Sequence, residues 1–208
     1  RRGRRSVGTL FTRVPDGRMP GESEQLWWVP DEVEIWALAS QASAELPNGC
    51  MNFLHQGSQQ IVTFKAEDCI LLQGELTAPE DLVFLQDVNQ ATILSCIRSR
   101  FHGQRIYTSV GAVLMSVNPF QPIPIYGKEM IALYADSKGP SAHVYEIPAR
   151  AYTSMCIGGG NQSILISGES GAGKTEATKQ CLSFLTEVTK TKTKNTEAET
   201  ETETGAGA

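Results

Sequence analysis

The chain has 208 residues, 40% hydrophobic and 20% charged, the composition of a globular protein with a real core. Its formal net charge of −5 argues against a generally basic surface for nucleic acid or anionic membrane. No apolar run approaches the ~20 residues that a membrane span needs.

Residues 1–23 are rich in Arg, Gly and Pro and read as a flexible basic arm. Between 24 and 75, short apolar runs alternate with turn formers: LWWVP (26–30), EIWALAS (34–40), MNFL (51–54), IVTF (61–64) and CILL (69–72). That spacing predicts a small antiparallel β-barrel with Trp27, Trp28, Trp36, Phe53 and Phe64 supplying its core. The second half of 80–100 has helical spacing, with Val88, Ala91, Ile93, Leu94 and Ile97 on one flank. TSVGAVLMSVNPF (108–120) reads as a strand stopped at Asn118-Pro119. Helices are predicted over 127–136 and over 148–157, the second beginning at Pro148 and ended by Gly158-Gly159-Gly160.

NQSILIS (161–167) reads as a short buried strand, GESGAGKT (168–175) as a loop, and 175–188 as a helix burying Ala177, Cys181, Leu182, Leu185 and Val188. After Val188 the hydrophobic pattern ends, and the polar low-complexity stretch 189–208 is expected to be disordered. The five cysteines fall among apolar neighbours with no Cys-x-x-Cys spacing, which predicts free thiols in an intracellular protein. His55, His102 and His143 form no zinc pattern with them and read as ordinary structural or exposed histidines.

Gly168, Gly173, Lys174 and Thr175 meet the pattern G-x-x-x-x-G-K-[ST]. Glycines let the backbone curl so that successive N–H groups converge on phosphate oxygens. The helix that follows adds its positive N-terminal end. A lysine there reaches the β- and γ-phosphates, and a Thr hydroxyl ligates Mg²⁺. An apolar segment before the loop and an amphipathic helix after it make coincidence a poor explanation. The candidate phosphate-binding residues are Gly168, Glu169, Ser170, Gly171, Ala172, Gly173, Lys174 and Thr175, with Thr175 as the Mg²⁺ ligand. Hydrolysis would also need a carboxylate to hold Mg²⁺ from its second side, typically at the end of an apolar strand. VFLQD (83–87) and the stretch ending at Asp136 are the nearest candidates, and neither has that setting.

With these segments in view, the chain from about Leu26 to Val188 resembles the start of a myosin heavy-chain motor domain of an unconventional class. NQSILISGESGAGKTEATK (161–179) is similar to that family's P-loop segment, and VNPFQPIPIYG (117–127) to its purine-binding loop. HVYEIPARAYTSM (143–155) and DLVFLQDVNQATILSCIRSRFHGQRIYTSVG (81–111) resemble neighbouring stretches of the motor, and 26–74 its N-terminal barrel. Pro122 and Ala177 depart from residues common in the family.

The resemblance implies an α/β fold. It would be an incomplete P-loop NTPase-type motor core over 76–188, a mostly parallel central sheet with flanking helices, preceded by the small antiparallel β-barrel. It implies that Asn118, Pro119, Phe120 and Tyr126 line the adenine side of an ATP and Mg²⁺ site. In the complete protein it implies an actin-activated ATPase moving on actin filaments, cytoplasmic and cytoskeleton-associated, with light chains as possible partners, and without nucleic acid or a membrane span. The family's switch I and switch II lie downstream of the P-loop helix, so no catalytic residue is assigned within this segment and no substantial turnover is expected from it alone. The Arg start and the polar end fit a piece of a longer chain, the alternative being a truncated, non-catalytic nucleotide-binding or regulatory protein.

Overall fold

The computed structural model describes residues 25–46 and 48–204, with side chains to residue 191. The arm expected over 1–23 and the last four residues lie outside the described residues. The chain divides into two compact units, Arg1–Leu71 and Leu72–Ala208.

In the first unit the apolar runs become β1 (Leu26–Asp31), β2 (Ile35–Gln41), β3 (Cys50–His55), β4 (Ile61–Lys65) and β5 (Ile70–Leu71). All neighbours are antiparallel, in the order β4-β3-β2-β1-β5. Among the described residues no ladder joins β4 to β5, so the sheet is open there. Side chains alternate across a strand. Accordingly Val29, Ala37, Ala39, Met51 and Phe53 form the buried face, with Trp27, Val62 and Phe64 packed against it. Trp28 is also buried but is not part of that cluster, and Trp36 is only half-buried. The core is therefore more aliphatic than the five expected aromatics would make it.

The second unit contains α1 (Gln90–His102), β6 (Tyr107–Val110), β7 (Val113–Ser116), α2 (Lys128–Ala135), α3 (Glu146–Gly158) and α4 (Lys174–Thr204). Helix α1 starts at a reciprocal capping box, in which the Asn89 side chain accepts from the Thr92 N–H and the Thr92 hydroxyl accepts from the Asn89 N–H. Its buried face is Ala91, Thr92, Cys96 and Arg100, while Val88 lies outside the helix and is exposed. Of the flank expected from the sequence, Ala91 is buried, Ile93, Leu94 and Ile97 are half-buried, and Val88 falls outside the helix. Arg100 is buried by its bonds: it donates to the Thr108 hydroxyl at 2.9 Å, the Tyr107 carbonyl at 2.9 Å and the Pro79 carbonyl at 3.2 Å. That pins α1 to β6 and fixes the Tyr107 backbone.

Three further expectations are corrected. The strand over 108–120 is a hairpin, because Gly111 adopts φ 57° and turns the chain between Val110 and Val113. NQSILIS is not a strand: it makes no ladder, and Leu165 is 91% exposed. A strand exists only through a partner. Among the described residues of this unit the only ladder is the antiparallel β6–β7 pair, beside one isolated parallel bridge between Asp81 and Ser109. The mostly parallel central sheet is accordingly not assembled here. Finally, α4 continues to Thr204 where disorder was expected over 189–208. Alanine, glutamate and lysine, which recur through this stretch, are good helix formers, and they carry the helix past the poorer threonines between them.

The core of this unit gathers Ile106, Tyr107, Ile131, Tyr134, Val144, Tyr145, Cys181, Phe184 and Val188. Helix α4 supplies Cys181, Phe184 and Val188, one turn apart on one face, and Phe184 is fully buried. Leu182, expected inside, is 59% exposed. Through this seam α4 packs on α2 and α3, and its first turn directly follows the glycine-rich loop in the chain.

Candidate functional site

Helix α3 stops at Gly159, whose left-handed conformation (φ 64°) lets its N–H bond the Met155 carbonyl at 2.9 Å. The chain then runs without regular secondary structure to Gly168. Gly168, Gly171 and Gly173 have φ of 150°, 80° and 92°, values that L side chains rarely adopt, so the curl of this loop depends on glycine. A Cβ at Gly168 would meet Ala172 at 3.1 Å, whereas one at Gly171 would meet nothing within 4 Å.

Lys174 and Thr175 are the first two residues of α4. The first helical N–H with a carbonyl four residues back near this end is that of Ala177, to Gly173 at 3.0 Å. The N–H groups of Lys174, Thr175 and Glu176 therefore have no intrahelical acceptor and present the positive end of the helix to the loop. The Lys174 ammonium donates to the Gly168 and Glu169 carbonyls, each at 2.8 Å, so its charge is held over the loop. Glu169, Ser170 and Thr175 are exposed, and Ala172 is half-buried.

The segment 117–127 meets this loop at one end. Val117 N–H bonds the Ile106 carbonyl at 3.0 Å, carrying β7 into Asn118. The Asn118 side chain then donates to the Gly171 carbonyl at 2.7 Å and accepts from the Phe120 N–H at 3.0 Å. A Cβ at Gly173 would stand 3.7 Å from the Asn118 side chain. Pro119 is half-buried, while Phe120 is 84% exposed in a left-handed conformation (φ 50°).

The other end is held by aromatic residues. The Tyr126 hydroxyl shares a 2.8 Å hydrogen bond with that of Tyr107. His143, buried, stacks on Tyr134 with centroids 5.1 Å apart and a 23° interplanar angle, and lies within 5.6 Å of Tyr107, Tyr126 and Tyr145. Burial pushes its pKa down to about 4, against a smaller upward effect of its bond to Ile125. Tyr145 in turn donates to Gln180 of α4 at 3.0 Å. Tyr107 and Tyr145 were not singled out from the sequence, and His143 reads there only as an ordinary structural or exposed histidine. The available signal was a histidine inside a tyrosine-rich stretch, and pattern alone gives that no chemistry.

The five cysteines are free thiols. Burial raises Cys96 and Cys181, and pushes Cys69 up to about 11, away from thiolate reactivity. Among the described residues there is no cluster of three or more His, Cys, Asp or Glu side chains that could hold a metal, and no helix long and apolar enough to cross a membrane.

A glycine-curled loop thus stands at the N-terminus of α4, tied through Asn118 to the segment 117–127. Residues 79–204 match the family model for the myosin head (motor domain), and the chain belongs to that family. It is 47% identical over 111 residues to the high molecular weight form of myosin-1 of Acanthamoeba castellanii, covering 52% of this chain and 7% of that protein. To unconventional myosin-Ia of Homo sapiens it is 42% identical over 120 residues, 57% of this chain and 11% of the relative. To myosin-1 of Arabidopsis thaliana it is 34% identical over 177 residues, 79% and 15% respectively. The chain thus spans a small part of the length of the relatives it matches.

Proposed function

We propose that this chain is the nucleotide-binding N-terminal part of an unconventional myosin motor, and that residues 168–175 cradle the triphosphate of ATP with Mg²⁺. The observation that carries this reading is the bond from Asn118 to Gly171, which sets a base-side segment against the glycine loop. Backbone N–H groups of the loop and of the first turn of α4 would face the phosphate oxygens. Lys174 would turn from the loop carbonyls to the β- and γ-phosphates, a short swing for a flexible side chain. The Thr175 hydroxyl would ligate Mg²⁺, an ion that keeps several waters and needs few protein ligands. A bound Mg²⁺ would neutralise phosphate charge.

Asn118, Pro119, Phe120 and Tyr126 would line the base side, with exposed Phe120 available to pack on a planar ring. In the complete protein, ATP hydrolysis would be coupled to movement on actin filaments in the cytoplasm. The groups that orient the attacking water are not assigned among residues 168–175.

Isothermal titration with Mg·ATP tests the reading. Saturable one-to-one binding that Lys174→Ala abolishes is expected. Binding unaltered in that variant would refute the cradle.

A further inference from the structure

The segment 117–127 is held at its two ends and exposed between them. Asn118 ties the first end to Gly171. At the second end the chain carries Ile125 and Tyr126 before Gly127, whose φ of 147° turns it into α2. Between them, Phe120, Gln121, Pro122 and Pro124 are exposed. Whatever fixes Ile125 and Tyr126 therefore decides where that part of the segment stands.

His143 contacts that end from the interior. The Tyr145 N–H donates to its Nδ1 at 3.1 Å, so Nδ1 carries no proton. Nε2 is then the protonated nitrogen and donates to the Ile125 carbonyl at 3.1 Å. Both ring nitrogens are used. The ring faces are packed by Tyr134 and edged by Tyr107, Tyr126 and Tyr145, leaving one orientation. Tyr107 adds a hydroxyl bond to Tyr126, and Tyr107 is itself fixed by Arg100.

We propose that His143 is a positioning residue for the base-binding segment: through the Ile125 carbonyl it fixes Tyr126, and so governs affinity for the base part of the nucleotide without touching the nucleotide. This rests on the triphosphate reading above and extends it to a residue behind the site. Because Nε2 reaches the base-side segment and not the glycine loop, its loss should separate two affinities that a general loss of structure would reduce together.

The experiment compares Mg·ATP with Mg·tripolyphosphate, which has the phosphates and no base, on the full chain by titration calorimetry. His143→Phe keeps a buried ring and removes both nitrogen bonds. It is expected to weaken ATP about five- to tenfold, the worth of one lost hydrogen bond, and to leave tripolyphosphate unchanged. His143→Gln, which keeps an N–H donor near Nε2, should recover most of the ATP affinity. Should His143→Phe fail to fold, Tyr107→Phe removes only the hydroxyl bond to Tyr126 and should give the same split, about threefold in size. Equal losses for both probes, or unchanged ATP affinity in folded variants, overturn the inference while leaving the cradle intact. A wild-type chain that binds neither probe overturns the cradle and this inference with it.

Discussion

The Asn118 side-chain amide donates to the Gly171 carbonyl at 2.7 Å, across 53 residues of sequence. Its own carbonyl oxygen meanwhile holds the Phe120 N–H. One side chain thus joins the Asn-Pro-Phe turn to the middle of the glycine loop. If those segments form one site, loosening the joint should disturb both of its halves.

Asn118→Ala should therefore weaken Mg·ATP and Mg·tripolyphosphate alike, by about five- to tenfold, since roughly 1 kcal/mol rides on such a bond. Asn118→Asp should be worse, because a carboxylate oxygen would face the Gly171 carbonyl. Calorimetric affinities for the two ligands check this. An Asn118→Ala chain with wild-type affinity for tripolyphosphate would show that the bond does not shape the loop.

Lys174 is held on carbonyls of an exposed loop, where net stabilisation is small because water competes for the same groups. Lys174→Gln should consequently leave the thermal midpoint within about 2 °C of wild type. Triphosphate affinity should fall at least about a hundredfold, as a point charge beside the phosphates is removed. Calorimetry paired with thermal denaturation separates the two effects. A large drop in midpoint would assign the lysine a structural role instead.

The parts legible in the sequence are those governed by local rules. The strands of the first unit follow from short apolar runs between turn formers, and the glycine loop from the spacing of Gly168, Gly173, Lys174 and Thr175. Helix phase was harder to read. In α4 the apolar positions 177, 181, 182, 185 and 188 admit more than one face, and only packing on α2 and α3 selects Phe184 over Leu182. The hairpin turned on a single left-handed glycine at 111, hidden in an apolar run. NQSILIS shows the opposite case: apolar content suited to a strand, without the neighbour that would make it one. The Asn118–Gly171 joint could not be deduced from spacing, and the resemblance named both segments without giving their contact.

The phase of α4 can be measured. Phe184→Ala empties a fully buried site and should cost about 3–5 kcal/mol. Leu182→Ala, on the exposed side, should change stability by no more than about 0.5 kcal/mol. Urea midpoints of the two variants decide it. Equal losses would mean that the helix is rotated from the arrangement described here.

Gly139 packs against the Tyr134 ring so closely that a Cβ there would overlap its edge. Tyr134 has little freedom to yield: it is buried, stacks on His143, and its hydroxyl donates to the Ser141 carbonyl. Gly139→Ala should destabilise the second unit by about 1–3 kcal/mol, as overpacking does. Gly158→Ala, where a Cβ meets nothing within 4 Å, serves as the mild control. A Gly139→Ala chain as stable as that control would contradict the packing.

His143 also ties stability to pH. Its folded pKa is about 4 against an ordinary value of 6.5, because burial disfavours the imidazolium. Above about pH 6.5 the ring is neutral in both states and contributes no pH dependence. As pH falls from there to about 4, the unfolded chain takes up a proton that the folded chain refuses, so stability declines. The full loss, reached below pH 4, is on the order of 3 kcal/mol. Burial moves Tyr107, Tyr134 and Tyr145 upward, away from this window. Urea midpoints measured from pH 7.5 to 4.5 should fall more steeply for wild type than for His143→Phe, so the gap between the two narrows towards acid. Parallel curves would mean that the buried ring takes up its proton as readily in the folded chain as in the unfolded one, which the bond from the Tyr145 N–H to Nδ1 does not allow.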